Sequence, residues 1–229
     1  MAGTVHLHTK ITALSPSGHR ASGKMTVLVC EGCVMDVVCK VEALFERRGS
    51  SLYTGQALAR RESVSALEHA LQCAQLAEWA HADNALVAAA LLHDLGQLLD
   101  GGPDEGLNDD HHEERALTLL GAGGFGPAVL EPIRLHVQAK RYLVSTDASY
   151  ADGLSLASKH SLSLQGGRMN AEERLIFMSQ AQASRALQLR RWDDLAKHPG
   201  KRTPPLGYYL NLLDDVLRES SQPGRVSVA

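Results

Sequence analysis

The amino-acid sequence predicts an all-α fold, a single bundle of helices, and three observations support this prediction. From Met35 onward, apolar residues recur at spacings of three and four, which places them on one face of a helix. No segment alternates between apolar and polar residues for long enough to predict a β-strand. The hydrophobic content of 44% in 229 residues is sufficient for one sizeable core.

Local signals mark the ends of the first predicted helices. Gly49 ends the first helix, and Ser65 with Glu68 forms a capping box that opens the second. Asn84 is expected to cap the third, which holds the run AALLHDLGQLL. The predicted helices span 36–48, 65–80, 84–100, 111–120, 127–144, 150–164, 170–197 and 206–218.

Residues 1–34 differ from the rest of the chain, because the segment before Glu31 contains no acidic residue and lacks helical periodicity. We interpret 1–34 as a disordered N-terminal extension. Its composition also suits an organellar targeting segment, or a start site placed upstream of a true beginning at Met35. The helical domain is expected over 35–218, followed by a tail at 219–229.

Charge and cysteine content narrow the classes of function. A net charge of -3 and a pI near 6.4 argue against a nucleic-acid partner, and no apolar run reaches the roughly 20 residues of a membrane span. Four cysteines in a chain of this length indicate a reducing compartment, so we expect a cytoplasmic protein. Cys30 and Cys33 lack the second cysteine pair of a zinc site. Nothing in the sequence indicates an oligomeric state.

Histidines and aspartates inside the predicted helices are candidate metal ligands. The chain has 11 histidines against three phenylalanines. One histidine among apolar residues is more often a core residue with its hydrogen bonds satisfied than a metal ligand. Four histidines with two aspartates, spread over five helices, favour a metal site. These residues are His69, His93, Asp94, His112, His136 and Asp193.

The adjacent pair His93 and Asp94 predicts a site for two metal ions. A buried carboxylate is costly unless a partner compensates its charge. Neighbouring residues on a helix point about 100° apart, so the imidazole can bind one ion while the carboxylate bridges to a second. Histidine with oxygen donors suits iron, manganese, cobalt or zinc better than calcium.

The series H…HD…H…H…D resembles the HD-domain superfamily, which includes metal-dependent phosphohydrolases and a smaller oxygenase branch. From Met35 to Leu210, the chain is most similar to the mixed-valent diiron oxygenases of phosphonate catabolism, whose type member acts on 2-amino-1-hydroxyethylphosphonate. The runs that carry the resemblance are ESVSALEHALQ (62–72), HHEERA (111–116), LHVQAKRYL (135–143), LASKHSLSLQGG (156–167) and LRRWDDLAK (189–197).

The resemblance implies a cofactor and a reaction. The six candidate ligands would hold two iron ions as a mixed-valent Fe2+/Fe3+ pair, with Asp94 as the bridge and dioxygen as co-substrate. The reaction would cleave the carbon–phosphorus bond of a small 1-hydroxyphosphonate and release phosphate. With an aminoethyl substrate, the organic product would be glycine.

The resemblance also implies substrate-binding residues, which are Glu62, Lys140, Ser158, Ser161 and Arg190. Glu62 would recognise the amine, and Glu62 and Lys140 are the predicted catalytic residues. Lys140 follows His136 by four residues and Arg190 precedes Asp193 by three, so each cation shares a helix face with a ligand and can attract a dianion. The alternative for both cations is solvated surface charge, which we expect for Arg141 and Arg191.

Two positions depart from the family pattern. Ala59 stands where the family has an iron-binding tyrosine, although Tyr53 would restore the order if 56–61 is an insertion. Gln97, a sixth predicted substrate-binding residue, stands where the family commonly has a histidine that contacts the phosphonate. A glutamine can donate a hydrogen bond but cannot transfer a proton near neutral pH. Glu62 is alternatively a simple helix-capping residue.

These departures keep two other functions open. The same ligands could hold divalent metals that activate water against a phosphate ester, as in an HD phosphohydrolase. The chain could also be a catalytically silent HD module that serves ligand sensing or assembly.

Overall fold

The computed structural model describes residues 36–54, 61–99 and 112–221, and α-helices account for most of them. The helices are α1 (Val37–Arg48), α2 (Ala66–Trp79), α3 (Asn84–Leu92), α4 (His112–Ala122), α5 (Pro127–Thr146), α6 (Ala148–Gly153), α7 (Leu156–Leu164), α8 (Ala171–Met178), α9 (Ala183–Leu195) and α10 (Leu206–Ser221). A 3₁₀-helix covers Leu95–Leu98, and two strands are β1 (Leu52–Thr54) and β2 (Arg61–Ser65).

The predicted all-α fold is confirmed, but the expectation that the chain has no strand is wrong. β1 and β2 pair antiparallel, with Leu52 opposite Ser65 and Thr54 opposite Arg61. Strands of three and five residues are too short for an alternating pattern to be recognised. The pairing brings the strand of Tyr53 beside the strand of Glu62. The predicted insertion is 56–61, and its first five residues lie outside the described residues.

Helix α3 is the central element of the core. Its sequence NALVAAALL is apolar almost all round, as is typical of a helix covered on every side. Every residue from Leu86 to Leu92 is at most 2% exposed, and α3 packs against α2, α5, α9 and α10. The helix therefore delivers the residues that follow it, His93 and Asp94, into the interior.

The third helix differs from its prediction at both ends. Asp83, rather than Asn84, caps it, and the Asp83 carboxylate accepts a hydrogen bond from the Leu86 amide at 2.9 Å. The helix ends at Leu92. The backbone of Asp94, with φ −103° and ψ 10°, is no longer α-helical. The His93–Asp94 pair therefore lies in the turn between α3 and the 3₁₀-helix.

Two predicted long helices are each divided in two. The segment 150–164 contains a break at Leu154 and Ser155, where the Ser155 hydroxyl caps α7 by accepting from the Ser158 amide at 3.2 Å. The segment 170–197 contains a turn at 179–182 between α8 and α9. The turn sequence SQAQ suits a helix as well as a turn, so apolar spacing alone cannot reveal it.

The remaining expectations concern the ends of the chain and the membrane. Among the residues that the structure describes, no helix has the length and apolar character needed to cross a bilayer. Helix α10 extends to Ser221, three residues past the predicted domain end at Arg218. The extension 1–34, with its targeting alternative and with Cys30 and Cys33, lies outside the described residues.

Gly123, just after α4, is expected to tolerate no larger residue. A Cβ atom at this position would lie 2.4 Å from Val37 Cβ, a branched side chain that cannot rotate away. We expect Gly123→Ala to lower the free energy of unfolding by about 1–3 kcal/mol, measured by urea denaturation. Gly121→Ala is the matched control, because its Cβ would meet Leu130 Cδ1 at an ordinary 3.7 Å. Equal stability of the two variants would contradict the packing described here.

Candidate metal centre and anion-binding network

Three predicted histidine ligands come together in the core. His69 lies on α2, His93 follows α3, and His136 lies on α5. The ring centroids of His69 and His93 are 5.4 Å apart, as are those of His93 and His136. All three are at most 2% exposed. Helices from distant parts of the chain therefore converge on one cluster of imidazoles.

Backbone carbonyl groups fix the orientation of these rings. His69 donates from Nδ1 to the Ala196 carbonyl oxygen at 2.9 Å. His93 and His136 each donate from Nδ1 to the carbonyl oxygen three residues earlier, at 3.0 and 2.7 Å. Because a carbonyl oxygen only accepts, Nδ1 carries the proton in each neutral ring and Nε2 presents a lone pair. This tautomer is the one that binds a metal through Nε2.

Two aspartate carboxylates face the lone pairs. Asp94 Oδ2 is 3.5 Å from His93 Nε2 and 3.8 Å from His69 Nε2. Asp193 places Oδ1 at 3.5 Å from His69 Nε2 and Oδ2 at 3.9 Å from His93 Nε2. Lone pairs that face carboxylate oxygens repel one another unless a cation lies between them.

The donor set therefore fits a metal centre. His93 Nε2 is buried and has no hydrogen-bond partner among the described residues, which is costly for a polar atom that no ligand satisfies. Imidazole nitrogens and carboxylate oxygens are suitable donors for iron, manganese, cobalt or zinc. His69, His93, Asp94 and Asp193 can contribute donors to one shared volume, with the His136 ring beside that of His93.

Burial and charge around the centre favour a neutral His69 and an ionised Asp193. Burial lowers the pKa of His69, which keeps its lone pair available near neutral pH. Burial alone would raise the pKa of Asp193, but the Arg190 guanidinium holds it below its usual value. The Arg190 Nη1 to Asp193 Oδ2 distance is 2.8 Å.

A second network next to the centre contains four of the six predicted substrate-binding residues. Lys140 is 2% exposed and donates from Nζ to Ser161 Oγ at 2.8 Å. Ser161 Oγ in turn donates to the Ser158 carbonyl oxygen at 3.2 Å. Burial, with a contribution from the nearby Arg190 charge, lowers the pKa of Lys140 to about 7. Cations and hydroxyl groups of this kind bind phosphonate or phosphate oxygens.

The structure adds Asp194 and Tyr150 to this network, and neither was predicted. Asp194 accepts from Arg190 Nε at 2.9 Å and Nη2 at 2.6 Å, from Ser158 Oγ at 3.2 Å, and from the Tyr150 hydroxyl in a short hydrogen bond. Asp193 and Asp194 therefore hold the Arg190 guanidinium from two sides. The spacing of four residues between Arg190 and Asp194 is the signal that could have identified the pair.

Two further residues near the site were also missed. Lys197 donates from Nζ to Ser158 Oγ at 3.3 Å and to Ser155 Oγ at 3.4 Å, which places a second ammonium group beside the hydroxyls at the start of α7. Cys73 Sγ lies 3.6 Å from His69 Nε2. Each follows a predicted ligand by four residues, Lys197 after Asp193 and Cys73 after His69, so helical spacing could have indicated both.

The other predicted site residues are placed only in part. His112 begins α4 and Glu62 lies in β2, while their side chains lie outside the described part of the structure. Gln97 is exposed on the 3₁₀-helix and lines a small cavity that Asp94 also lines. The roles of His112 as a metal ligand and of Glu62 as a substrate-binding residue stay predictions.

The two arginines expected on the surface behave differently. Arg191 is half exposed and lies 3.5 Å from Asp147. Arg141 is only 18% exposed and pairs with Glu173 at 2.7 Å, so the expectation of a solvated surface side chain is wrong for it. It also donates from Nε to the Gly167 carbonyl oxygen at 3.0 Å. Arg141 thus joins α5 to the segment around α8, a structural role.

The chain is similar in sequence to a known family and to several known proteins. The family model described as HD domain matches residues 66–196, a range that contains all six predicted metal ligands. A Gimesia maris protein named hydroxymethylphosphonate dioxygenase is 43% identical over 187 residues, which cover 79% of this chain and 90% of the relative. A Leisingera caerulea protein named (1-hydroxy-2-(trimethylamino)ethyl)phosphonate dioxygenase (glycine-betaine-forming) is 34% identical over 178 residues, 76% of this chain and 87% of the relative. An uncharacterized protein of Acanthamoeba polyphaga mimivirus is 37% identical over 182 residues, 78% of this chain and 80% of the relative.

Proposed function

The chain belongs to the HD-domain family, and on that premise we propose that it is a metal-dependent dioxygenase that cleaves the carbon–phosphorus bond of a small 1-hydroxyphosphonate. The predicted resemblance to the oxygenase branch is confirmed by relatives that are named phosphonate dioxygenases. The observation that carries the proposal is the direct link between the two networks. Arg190 contacts Asp193 in the metal centre and Asp194 in the anion network.

Two iron ions are the proposed cofactor, as a mixed-valent Fe2+/Fe3+ pair. The residues proposed to hold them are His69, His93, Asp94, His112, His136 and Asp193. When bound, the iron pair supplies the redox chemistry with dioxygen. The neutral imidazoles offer Nε2 lone pairs, and Asp94 offers two oxygens for a bridge.

The chain's own residues bind and orient the substrate. Lys140 and Arg190 neutralise the phosphonate charge, while the Ser158 and Ser161 hydroxyls supply directed hydrogen bonds. Their placement beside the metal centre sets the hydroxyl-bearing carbon next to the ligands, which lowers the barrier through orientation. In the overall reaction this carbon becomes a carboxylate, phosphorus leaves as phosphate, and dioxygen is the oxidant, so no external reductant is required.

The two candidate substrates differ in the group attached to the hydroxyl-bearing carbon. The family resemblance implies 2-amino-1-hydroxyethylphosphonate with glycine as product. The Gimesia maris relative favours hydroxymethylphosphonate, from which the organic product would be formate. Both substrates share the phosphonate and hydroxyl groups, so both fit the network around Lys140 and Arg190.

The test measures phosphate release from each substrate by protein loaded with ferrous iron. We expect release only when both iron and dioxygen are supplied, with dioxygen consumption matching phosphate. Equal turnover without dioxygen would identify a hydrolase and contradict the proposal. A protein that binds no metal would contradict both enzymatic functions and favour the silent module.

Glu62→Ala is expected to distinguish the two substrates. If Glu62 binds the substrate ammonium group, the variant should raise KM for 2-amino-1-hydroxyethylphosphonate by about 10-fold, the loss of a charge-assisted hydrogen bond, and leave hydroxymethylphosphonate turnover unchanged. Metal content should stay at the level of the unaltered protein. Glu172→Ala, at an exposed glutamate of α8, is the control. Unchanged kinetics for both substrates would assign Glu62 to helix capping.

Asp194→Asn is expected to impair phosphonate binding while metals remain bound. The asparagine amide would turn donors toward Arg190, and the guanidinium would lose the carboxylate that orients it. Loss of partners of this kind typically costs 10–100-fold, so we expect kcat/KM to fall by about that factor, mostly through KM. Asp215→Asn, which alters an exposed pair with Arg218, is the control. A fall in metal content with KM unchanged would contradict the assignment.

A further inference from the structure

Cys73 is a buried thiol that reaches the candidate metal centre from the same helix as His69. The two residues are four apart on α2 and share a helix face. One donor atom from each of His69, Cys73 and His93 can be chosen so that all lie within 4.8 Å of one another, and all three residues are buried. The two-iron arrangement described above gives this sulfur no role.

The distance between the Cys73 sulfur and the His69 nitrogen, which form a hydrogen bond, matches one edge of a tetrahedral site. With Zn–S near 2.3 Å and Zn–N near 2.0–2.1 Å, the sulfur-to-nitrogen edge of a tetrahedron is about 3.6 Å. Cys73 Sγ is 3.6 Å from His69 Nε2. His93 Nε2, which is buried and has no hydrogen-bond partner among the described residues, is a second and independent sign of a missing ligand.

Asp94 completes the set of four donors. Its Oδ2 atom lies 3.5 Å from His93 Nε2, close to the edge of about 3.4 Å that nitrogen and oxygen ligands form around zinc, and 3.8 Å from His69 Nε2. A site with sulfur, two imidazole nitrogens and one carboxylate oxygen suits zinc, whereas sulfur is a poor donor for harder ions such as manganese.

We infer that His69, Cys73, His93 and Asp94 form a site for one zinc ion, as an alternative to the two-iron arrangement. Cys73 binds as a thiolate and its proton passes to solvent when the metal enters. The zinc ion would occupy three of the ligands that the iron pair needs, so zinc and iron exclude one another. The inference concerns metal binding alone and does not depend on the proposed function.

The first test identifies the atoms around bound zinc. The full chain carrying Cys30→Ser, Cys33→Ser and Cys39→Ser retains Cys73 as its one thiol. After removal of metals with a chelator, it receives one equivalent of zinc and is measured by X-ray absorption at the zinc edge. We expect one sulfur neighbour near 2.3 Å with nitrogen or oxygen neighbours near 2.0–2.1 Å. A shell of nitrogen and oxygen alone would overturn the inference.

The second test measures affinity in the same background. Adding Cys73→Ser should weaken zinc binding by about 100-fold or more, since even partners outside the ligand shell are typically worth 10–100-fold. Manganese affinity should change only a few-fold. Restoring the exposed Cys39 instead is the control and should leave zinc affinity unchanged. Circular dichroism reports whether the serine variant folds, and if it does not, the absorption measurement decides. Unchanged zinc affinity in the folded variant overturns the site, whereas absent dioxygen-dependent phosphate release would bear only on the proposed function.

Discussion

Replacing Asp94 with alanine is expected to abolish turnover and to prevent the binding of a metal pair. Asp94 faces both His69 Nε2 and His93 Nε2, and the alanine variant lacks the carboxylate that is proposed to bridge the two ions. The loss of a metal-dependent reaction should reduce kcat/KM by about 1,000-fold or more, equivalent to several kcal/mol of barrier. Metal analysis of the variant should find at most one ion per chain.

Asp152→Ala is the matched control for this experiment, because Asp152 is an exposed aspartate on α6. It should retain the metal content and the turnover of the unaltered protein. An Asp94→Ala variant that still bound two ions would contradict the bridging role. One that kept both ions but lost turnover would assign Asp94 to the reaction itself.

Lys140→Met is expected to weaken phosphonate binding and to remove a pH dependence. The loss of a charged hydrogen bond worth about 1.5–3 kcal/mol should raise the phosphonate Kd by about 10- to 150-fold below pH 7. Because the pKa of Lys140 is lowered to about 7, the side chain is protonated below that pH and loses its charge above it. The affinity of the unaltered protein should therefore fall as pH rises through 7, while the variant's affinity changes less.

The free energy of unfolding is expected to depend on pH in the opposite direction from phosphonate affinity. Folding lowers the pKa of Lys140 from 10.5 to about 7, so the unfolded chain binds the proton more tightly and the free energy of unfolding rises with pH between these values. Lys140→Met removes this unfavourable burial of charge and should fold at least as stably near pH 7. Lys159→Met, at an exposed lysine of α7, is the control. Equal phosphonate affinity of Lys140→Met and the unaltered protein at pH 6 would contradict the anion-binding role.

Helical periodicity predicted most of the fold because the helices bury continuous apolar faces. The capping box at Ser65 and Glu68 is confirmed in full, with both reciprocal hydrogen bonds. The break at Ser155 and the turn at 179–182 were missed, since neither contains a residue that forbids a helix. The two strands are only three and five residues long, too short for an alternating pattern to identify them.

The centre was partly predictable for a different reason. The spacing of the His and Asp residues could be compared with a family, and the structure brings His69, His93, Asp94, His136 and Asp193 together. Tyr150 and Asp194 depend on how α6 packs against α9, which sequence spacing does not reveal. Cys73 did have a signal, since it lies one helical turn after His69. Lys197 follows Asp193 by four positions in the sequence, although α9 ends before it at Leu195.

The hydrogen bond from His69 to the Ala196 carbonyl oxygen has a consequence for the timing of assembly. Its partners are 127 positions apart in the chain. Gln72 strengthens the same junction by donating to the His198 carbonyl oxygen at 2.8 Å and accepting from the His198 amide at 3.1 Å. A nascent chain on the ribosome cannot form this junction until α9 and the residues after it have emerged. Loading of the proposed metal centre would therefore be a late, post-translational event, and we expect a chain truncated before α9 to remain metal-free.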